Sequence, residues 1–165
     1  MTKTKRLTVM AMLTAVALII FVVEAQIPPL VPIPGVKLGL ANIITIYAMF
    51  RLGPREALCI LVARVLLGNL LAGSVMSLFF SLAGGLLCFL SMLLLRRIVT
   101  EKQLWVCSVV GAVFHNIGQI AVAIALYQTT VVVIYLPILM LSGILTGLFT
   151  GLCAQLLIHR LKGKL

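Results

Sequence analysis

Long runs of apolar residues dominate the chain, and short polar, glycine-containing or proline-containing breaks separate them. Apolar and polar positions do not alternate within the runs, so the pattern predicts helices rather than the strands of a barrel. The second and third runs are short for a bilayer, which needs about 20 apolar residues per helix. The six predicted spans are Leu7–Ala25, Leu38–Leu52, Arg55–Ala72, Val75–Val99, Leu104–Tyr127 and Leu136–Leu161.

The longest irregular break is the segment QIPPLVPIPGVK, residues 26–37. Its four prolines exclude a regular helix. Irregular backbone at membrane depth is tolerated only where protein covers it or water reaches it. We therefore expect this segment to fold back over one end of a helical bundle.

Composition supports a membrane-embedded bundle. The 165 residues are 63% hydrophobic and 10% charged, whereas about a quarter of residues are charged in soluble domains. A water-soluble fold of this length could not bury so much apolar surface. We predict one all-α integral membrane domain, residues 1–165, with six transmembrane helices.

The net charge of +10 is distributed in small groups at alternate breaks. The positive-inside rule makes that side cytoplasmic, so both termini are predicted to be cytoplasmic, in the cell membrane. Basic residues scattered in this way indicate membrane topology and not a nucleic-acid surface. The groups are Lys3, Lys5 and Arg6; Arg51 and Arg55; Arg96, Arg97 and Lys102; and Arg160, Lys162 and Lys164.

The strongest cluster of polar residues inside a span is FHNIGQ in the fifth run. His115 and Gln119 are four residues apart and therefore share a helix face, with Asn116 beside them. Polar groups in lipid are functional candidates by default. The cluster suits the wall of a polar cavity that binds a solute. The alternative is hydrogen bonding between helices that only holds the bundle together.

Two basic residues extend the candidate site. Arg64 lies well inside the third span and needs an acceptor there. A bound anion would serve, and so would Glu24 or helix-end carbonyls. Lys37 precedes the second span, where Asn42 adds hydrogen-bonding capacity. It could attract an anion at the outer mouth, or it could simply reach towards water as an interfacial lysine.

Small residues recur at helical spacing in three spans, which allows helix backbones to approach closely in lipid. Such stripes suit packing within the bundle, and they also suit docking of another membrane subunit. The stripes are Ala11 and Ala15; Ser77, Ser81 and Gly85; and Gly143, Gly147 and Gly151.

Motifs that would indicate catalysis are missing from the sequence. It has no phosphate-binding GxxxxGK[ST] loop, no HExxH and no GxSxG. Its three acidic residues are scattered glutamates, which leaves no site for magnesium-diphosphate chemistry. Its four cysteines lie in apolar runs without a CxxC pair. We predict a non-enzymatic protein without a cofactor or a metal.

The segments VPIPGVKLGLANI, RVLLGNLLAG and GAVFHNIGQ resemble the Gx transporter family, also labelled heptaprenyl diphosphate synthase component I. The resemblance extends from Ala11 into the sixth span. That family is similar to the substrate-binding S components of energy-coupling factor (ECF) transporters. The resemblance implies capture of a small solute at the outer face, with Lys37 and the His115–Gln119 face near it.

The same resemblance implies partners. An S component docks on a transmembrane coupling subunit driven by cytoplasmic ATPases, through small residues of its first helix, and Ala11 and Ala15 match that AxxxA spacing. The enzyme label implies an alternative function, a non-catalytic membrane accessory subunit of heptaprenyl diphosphate synthase. Prenyl diphosphate synthases use aspartate-rich motifs, and this sequence contains no aspartate.

Overall fold

The computed structural model describes residues 2–28, 37–72, 75–100 and 103–160. Within those ranges the regular secondary structure is entirely helical. A short 3-10 helix, Val131–Tyr135, leads into the last α-helix. The six α-helices are α1 (Lys3–Ala25), α2 (Asn42–Arg51), α3 (Pro54–Ala72), α4 (Val75–Leu95), α5 (Leu104–Tyr127) and α6 (Leu136–Arg160). The predicted cover formed by the proline-rich segment falls largely on residues 29–36, outside the described residues.

Helix ends follow local signals in the sequence. The Thr2 side chain accepts a hydrogen bond from the Lys5 backbone N–H and so caps the start of α1. Pro54 opens α3, where a missing N–H and a fixed φ are tolerated. Gly53, just before it, has a φ of +126°, a conformation that L side chains rarely adopt. The α2–α3 turn therefore depends on this Gly-Pro pair.

The second predicted span differs most from the structure. Helix α2 begins at Asn42 instead of Leu38 and has only 10 residues, which at 1.5 Å per residue is about half the thickness of a bilayer core. Gly39, with a φ of +81°, stops the helix from starting earlier. Seven of the ten residues of α2 are buried. A helix covered on most sides is held by protein and does not need to span lipid alone.

Among the described residues, four helical segments are long and apolar enough to cross a membrane, namely α1, α4, α5 and the 3-10 helix continued into α6. Many large apolar side chains point outwards; Leu70, for example, is 79% exposed and Leu94 is 73% exposed. Such a surface is suited to a lipid solvent and would be a liability in water. It agrees with the composition of the chain.

Helices α4, α5 and α6 pack with their backbones in close contact. A Cβ added at Gly118 in α5 would lie 2.9 Å from the Gly84 Cα of α4. A Cβ at Gly147 in α6 would lie 2.7 Å from the Val109 Cα of α5, and one at Gly151 would lie 2.5 Å from the Trp105 Cα. The Gly143, Gly147 and Gly151 stripe therefore serves packing within the bundle, which was the first of its two interpretations.

Helix α1 is less enclosed, burying only Ala17, Phe21 and Glu24. At its start, Arg6 forms a 2.8 Å ion pair with Glu56 of α3. The same guanidinium donates to the Leu52 carbonyl, 3.0 Å away. These contacts place the start of α1 beside the α2–α3 turn.

Candidate functional site

Buried polar side chains from α1, α2, α3 and α5 meet in the interior of the bundle. His115 lies halfway along α5, and Arg64 lies about halfway along α3. Asn42 is the first residue of α2. Each of these three side chains, like Gln119, is at least nine-tenths buried. The short α2 thus begins at the depth where the two longer helices carry their polar residues.

A chain of hydrogen bonds links these side chains across three helices. The Arg64 guanidinium donates through Nη2 to Asn42 Oδ1, at 3.2 Å. Asn42 Nδ2 faces His115 Nδ1 at 3.3 Å. His115 Nε2 faces Gln119 Nε2 at 3.1 Å. The predicted shared face of His115 and Gln119 is confirmed, and the structure brings Arg64 and Asn42 to it.

The contacts leave buried polar atoms without a partner. Arginine only donates, so Asn42 must present its oxygen to Arg64 and its amide nitrogen to His115. A neutral imidazole that accepts from Asn42 at Nδ1 donates at Nε2, so the Gln119 amide presents its oxygen there. In either orientation of that amide, one Gln119 polar atom has no hydrogen-bond partner within the described ranges, and neither has Arg64 Nε. Orphaned buried polar atoms are rare in native proteins, and such a cluster suits a site that a polar ligand completes.

Glu24 supplies the carboxylate of the cluster, from the last turn of α1. Its Oε1 accepts a hydrogen bond from the Gly39 backbone N–H, and the Ala41 N–H also bonds to the carboxylate. The carboxylate thereby covers the N-terminal end of α2, where the helix dipole favours negative charge. It also interacts electrostatically with Arg64 and Lys37. The carboxylate thus joins α1 to α2 and partly balances both cations.

Lys37 lies half-buried at the edge of the cluster. Its Nζ stands 3.4 Å from the centroid of the Phe21 ring, a cation–π contact. Partial burial lowers the pKa of Lys37 to about 8, because it disfavours the charged ammonium more than the Glu24 carboxylate favours it. Lys37 therefore does not simply extend into solvent, and it stands beside the other charges of the site.

Asn116 is buried beside this cluster but faces α6. Its Nδ2 donates to the Leu139 carbonyl, and its Oδ1 has no partner among the described residues. The backbone at Gly143 leaves room for the amide, since a Cβ there would lie 2.5 Å from Nδ2. One atom of Asn116 thus ties α5 to α6, and the other remains available.

Two glycines allow the backbone to enclose the His115 ring. A Cβ at Gly39 would lie 3.1 Å from His115 Cδ2, and one at Gly84 would lie 2.8 Å from Cε1. Position 39 requires glycine for two reasons, because a Cβ would meet the imidazole and because the φ is positive. Side chains at either position would displace the imidazole.

The candidate docking residues lie elsewhere. Ala11 and Ala15 are exposed on α1 and do not pack within the described bundle. Between α1, α2 and α6 runs an apolar groove of about 280 Å³, lined by Val9, Met12, Leu13, Val16, Ile44, Tyr47 and Leu157. The polar cluster does not contribute to it. The outward face of α1 therefore remains free in the isolated chain.

Sequence reasoning named His115, Gln119, Asn42, Arg64 and Lys37 but gave Glu24 a minor role. A carboxylate near the end of an apolar helix, followed by a glycine-containing loop, was the available signal. Phe21, Gly39 and Gly84 were missed, because an apolar or glycine residue shows no polar signal in a single sequence. No group of three or more His, Cys, Asp or Glu side chains in the described ranges is arranged to hold a metal ion.

The family model described as heptaprenyl diphosphate synthase component I matches residues 13–157. The chain belongs to that family. This match includes all six candidate binding residues and Ala15, and Ala11 lies just before it. The buried cluster therefore lies within the part of the chain that the family model matches.

A solved structure described as the S component of a bacterial ECF transporter has the same fold, with a TM-score of 0.75. The two chains are 22% identical over 97% of this chain and 96% of the other. No curated protein matches this member of the component I family. The likeness confirms the predicted S-component-like helical architecture.

Proposed function

We propose that this component I protein is a solute-binding membrane subunit that works like the S component of an ECF transporter. The observation that carries the proposal is the fold shared over nearly the whole chain. The buried cluster adds to it, because its orphaned polar atoms suit a ligand better than a finished core does. Charges, amides and an imidazole in this arrangement bind a solute non-covalently. The protein would then need an ATPase partner for uptake.

The binding site is tested by ligand-dependent stabilisation of the purified protein in detergent. A solute bound at the cluster raises the thermal midpoint, and we expect His115→Ala and Gln119→Ala to weaken binding about tenfold each. Ser108→Ala is the matched control. Ser108 lies on α5, like His115 and Gln119, but its hydroxyl hydrogen-bonds to Thr150 of α6 at 2.9 Å, away from the cluster. Stabilisation that survives both cluster changes would place the solute elsewhere.

Docking is tested separately. We propose that the exposed Ala11 and Ala15 face a transmembrane coupling subunit that is driven by cytoplasmic ATPases. Leucine at either position would keep the helices apart. We expect Ala11→Leu and Ala15→Leu to abolish co-purification with a coupling subunit and to leave solute binding intact. Ala121→Leu, at an exposed alanine of α5, is the control, and equal loss with all three variants would reject this surface.

The proposed orientation places both termini in the cytoplasm, in the cell membrane. Basic residues near the helix ends support this orientation through the positive-inside rule, namely Arg51, Arg96, Arg97 and Arg160. Reporter fusions to the two ends test it. Activity of the reporters in opposite compartments would contradict the topology.

The family description favours a second function, that of a non-catalytic accessory subunit of heptaprenyl diphosphate synthase. The absence of aspartate means that a partner would have to supply the magnesium-diphosphate chemistry. Co-expression with a soluble prenyl synthase would then change the product chain length or the rate. Unchanged kinetics and no co-purification would reject this function.

A further inference from the structure

The charges of the buried cluster do not balance. Arg64 and Lys37 contribute two cations, and Glu24 contributes one carboxylate. The Glu24 carboxylate is already engaged by the backbone N–H groups of Gly39 and Ala41. The N-terminal end of α2 adds further positive potential beside them. The described part of the site therefore has an excess of positive charge.

The position of Arg64 makes this excess significant. Its side chain is 4% exposed, and it hydrogen-bonds to the neutral amide of Asn42. Its Nε, a charge-bearing donor, has no hydrogen-bond partner among the described residues. A buried guanidinium is stable only when an anion and enough acceptors surround it. Among the described residues, no negatively charged acceptor hydrogen-bonds to Arg64 directly.

We propose that the solute of this protein is a small monoanion, with its charged group held by Arg64 Nε and Lys37. This inference rests on the proposed function. A carboxylate suits the site well, since guanidinium groups recognise planar oxyanions through their N–H donors. A dianion would exceed the excess of one charge, and a cation would add to it. Gln119 and Asn116, each with one unpartnered amide atom, bind the neutral polar part of the solute.

Native mass spectrometry of the protein purified from its expression membrane gives the first test. We expect a co-purified molecule with a single negative charge. Lys37→Gln should release it, whereas Lys37→Arg, which keeps the cation, should retain it. Arg64→Gln should also release it, and Arg55→Gln, at an exposed arginine of the same helix, is the matched control. Because Lys37 is only half-buried, its variants test the site even where Arg64→Gln fails to fold.

Four small probes on one ring test the charge directly: benzoate, benzamide, benzamidinium and phthalate at constant ionic strength. We expect benzoate alone to raise the thermal midpoint, by about 3 °C at about ten times its Kd, and to lose this effect in Lys37→Gln. Equal stabilisation by benzamide, benzamidinium or phthalate would overturn the proposal. Benzoate stabilisation that Lys37→Gln and Arg64→Gln both retain would overturn the assigned residues.

Different results reject the monoanion proposal and the solute-binding function. A co-purified neutral, cationic or multiply charged solute overturns the monoanion and leaves the solute-binding function standing. The absence of any co-purified solute, together with no stabilisation by any of the four probes, contradicts the solute-binding function and the monoanion with it.

Discussion

The two halves of this bundle are built in different ways. Helices α4–α6 approach one another backbone to backbone through Gly84, Gly118, Gly147 and Gly151. Helices α1–α3 pack instead through larger apolar side chains of the core, such as Ile46 and Leu61, and a polar contact joins Arg6 to Glu56. Close backbone packing gives a rigid block, whereas α1, which buries only three residues, is easier to shift.

The candidate site lies where the two halves meet. Asn42 and Arg64 come from the α1–α3 half, and His115 and Gln119 come from the glycine-packed α4–α6 half. A solute bound there would contact both halves at once. Such binding would stabilise the position of the two halves relative to each other.

The largest expected effect tests the glycine packing. Gly147→Leu would force α5 and α6 apart, and we expect it to lower the free energy of unfolding by about 3 kcal/mol or to prevent folding. Ala11→Leu, at an exposed position of α1, should change it little. Thermal unfolding of both variants in detergent measures the difference. Equal stabilities would contradict the contrast between the halves.

A smaller effect is expected for the carboxylate that ties α1 to α2. Glu24→Gln replaces a charged acceptor by a neutral one and leaves Arg64 and Lys37 without their counter-charge. We expect a loss of about 1.5 kcal/mol in unfolding free energy, since charged hydrogen bonds are the stronger kind. Glu56→Gln is the control. A stability change no larger than that of the control would show that Glu24 does not hold α1 against α2.

The pH dependence of solute binding sharpens the role of Lys37. Its pKa is lowered to about 8, so the ammonium is mostly charged at pH 7 and mostly neutral at pH 9. The groups that act on it electrostatically are Glu24 of α1 and Arg64 of α3. An anionic solute prefers the charged form, so we expect binding to weaken about tenfold between these pH values. Titration calorimetry of the recovered solute measures this, and Lys37→Arg should remove the dependence.

The smallest expected effect concerns the Arg6–Glu56 pair at the other end of α1. Arg6 is 48% exposed, so solvent screens the pair and it should contribute about 0.5 kcal/mol. A double-mutant cycle with Arg6→Ala and Glu56→Ala measures the coupling, which added salt should reduce. A coupling above about 2 kcal/mol would mean that this contact contributes substantially to holding α1 against α3.

The helices were predictable where local sequence determines them. The bounds of α3 and α5 match the predicted spans to within one residue, because Gly53-Pro54 and long apolar runs define them. The start of α2 was not predictable, since it depends on Gly39 and on the distant Glu24 carboxylate. The pairing of His115 with Gln119 followed from helical spacing. The Arg64–Asn42 contact did not, because it joins residues of different helices.

The short α2 also sets an electrical depth for the site. In a bilayer, a charge bound where α2 begins lies about halfway through the transmembrane field. A full crossing changes the energy of one charge by about 2.3 kcal/mol per 100 mV, so half a crossing changes it by about 1 kcal/mol. In the proposed orientation, with the cell interior negative, the proposed anion entering from outside would be bound several-fold more weakly than in an unpolarised membrane. The excess positive charge at Arg64 and Lys37 opposes that voltage.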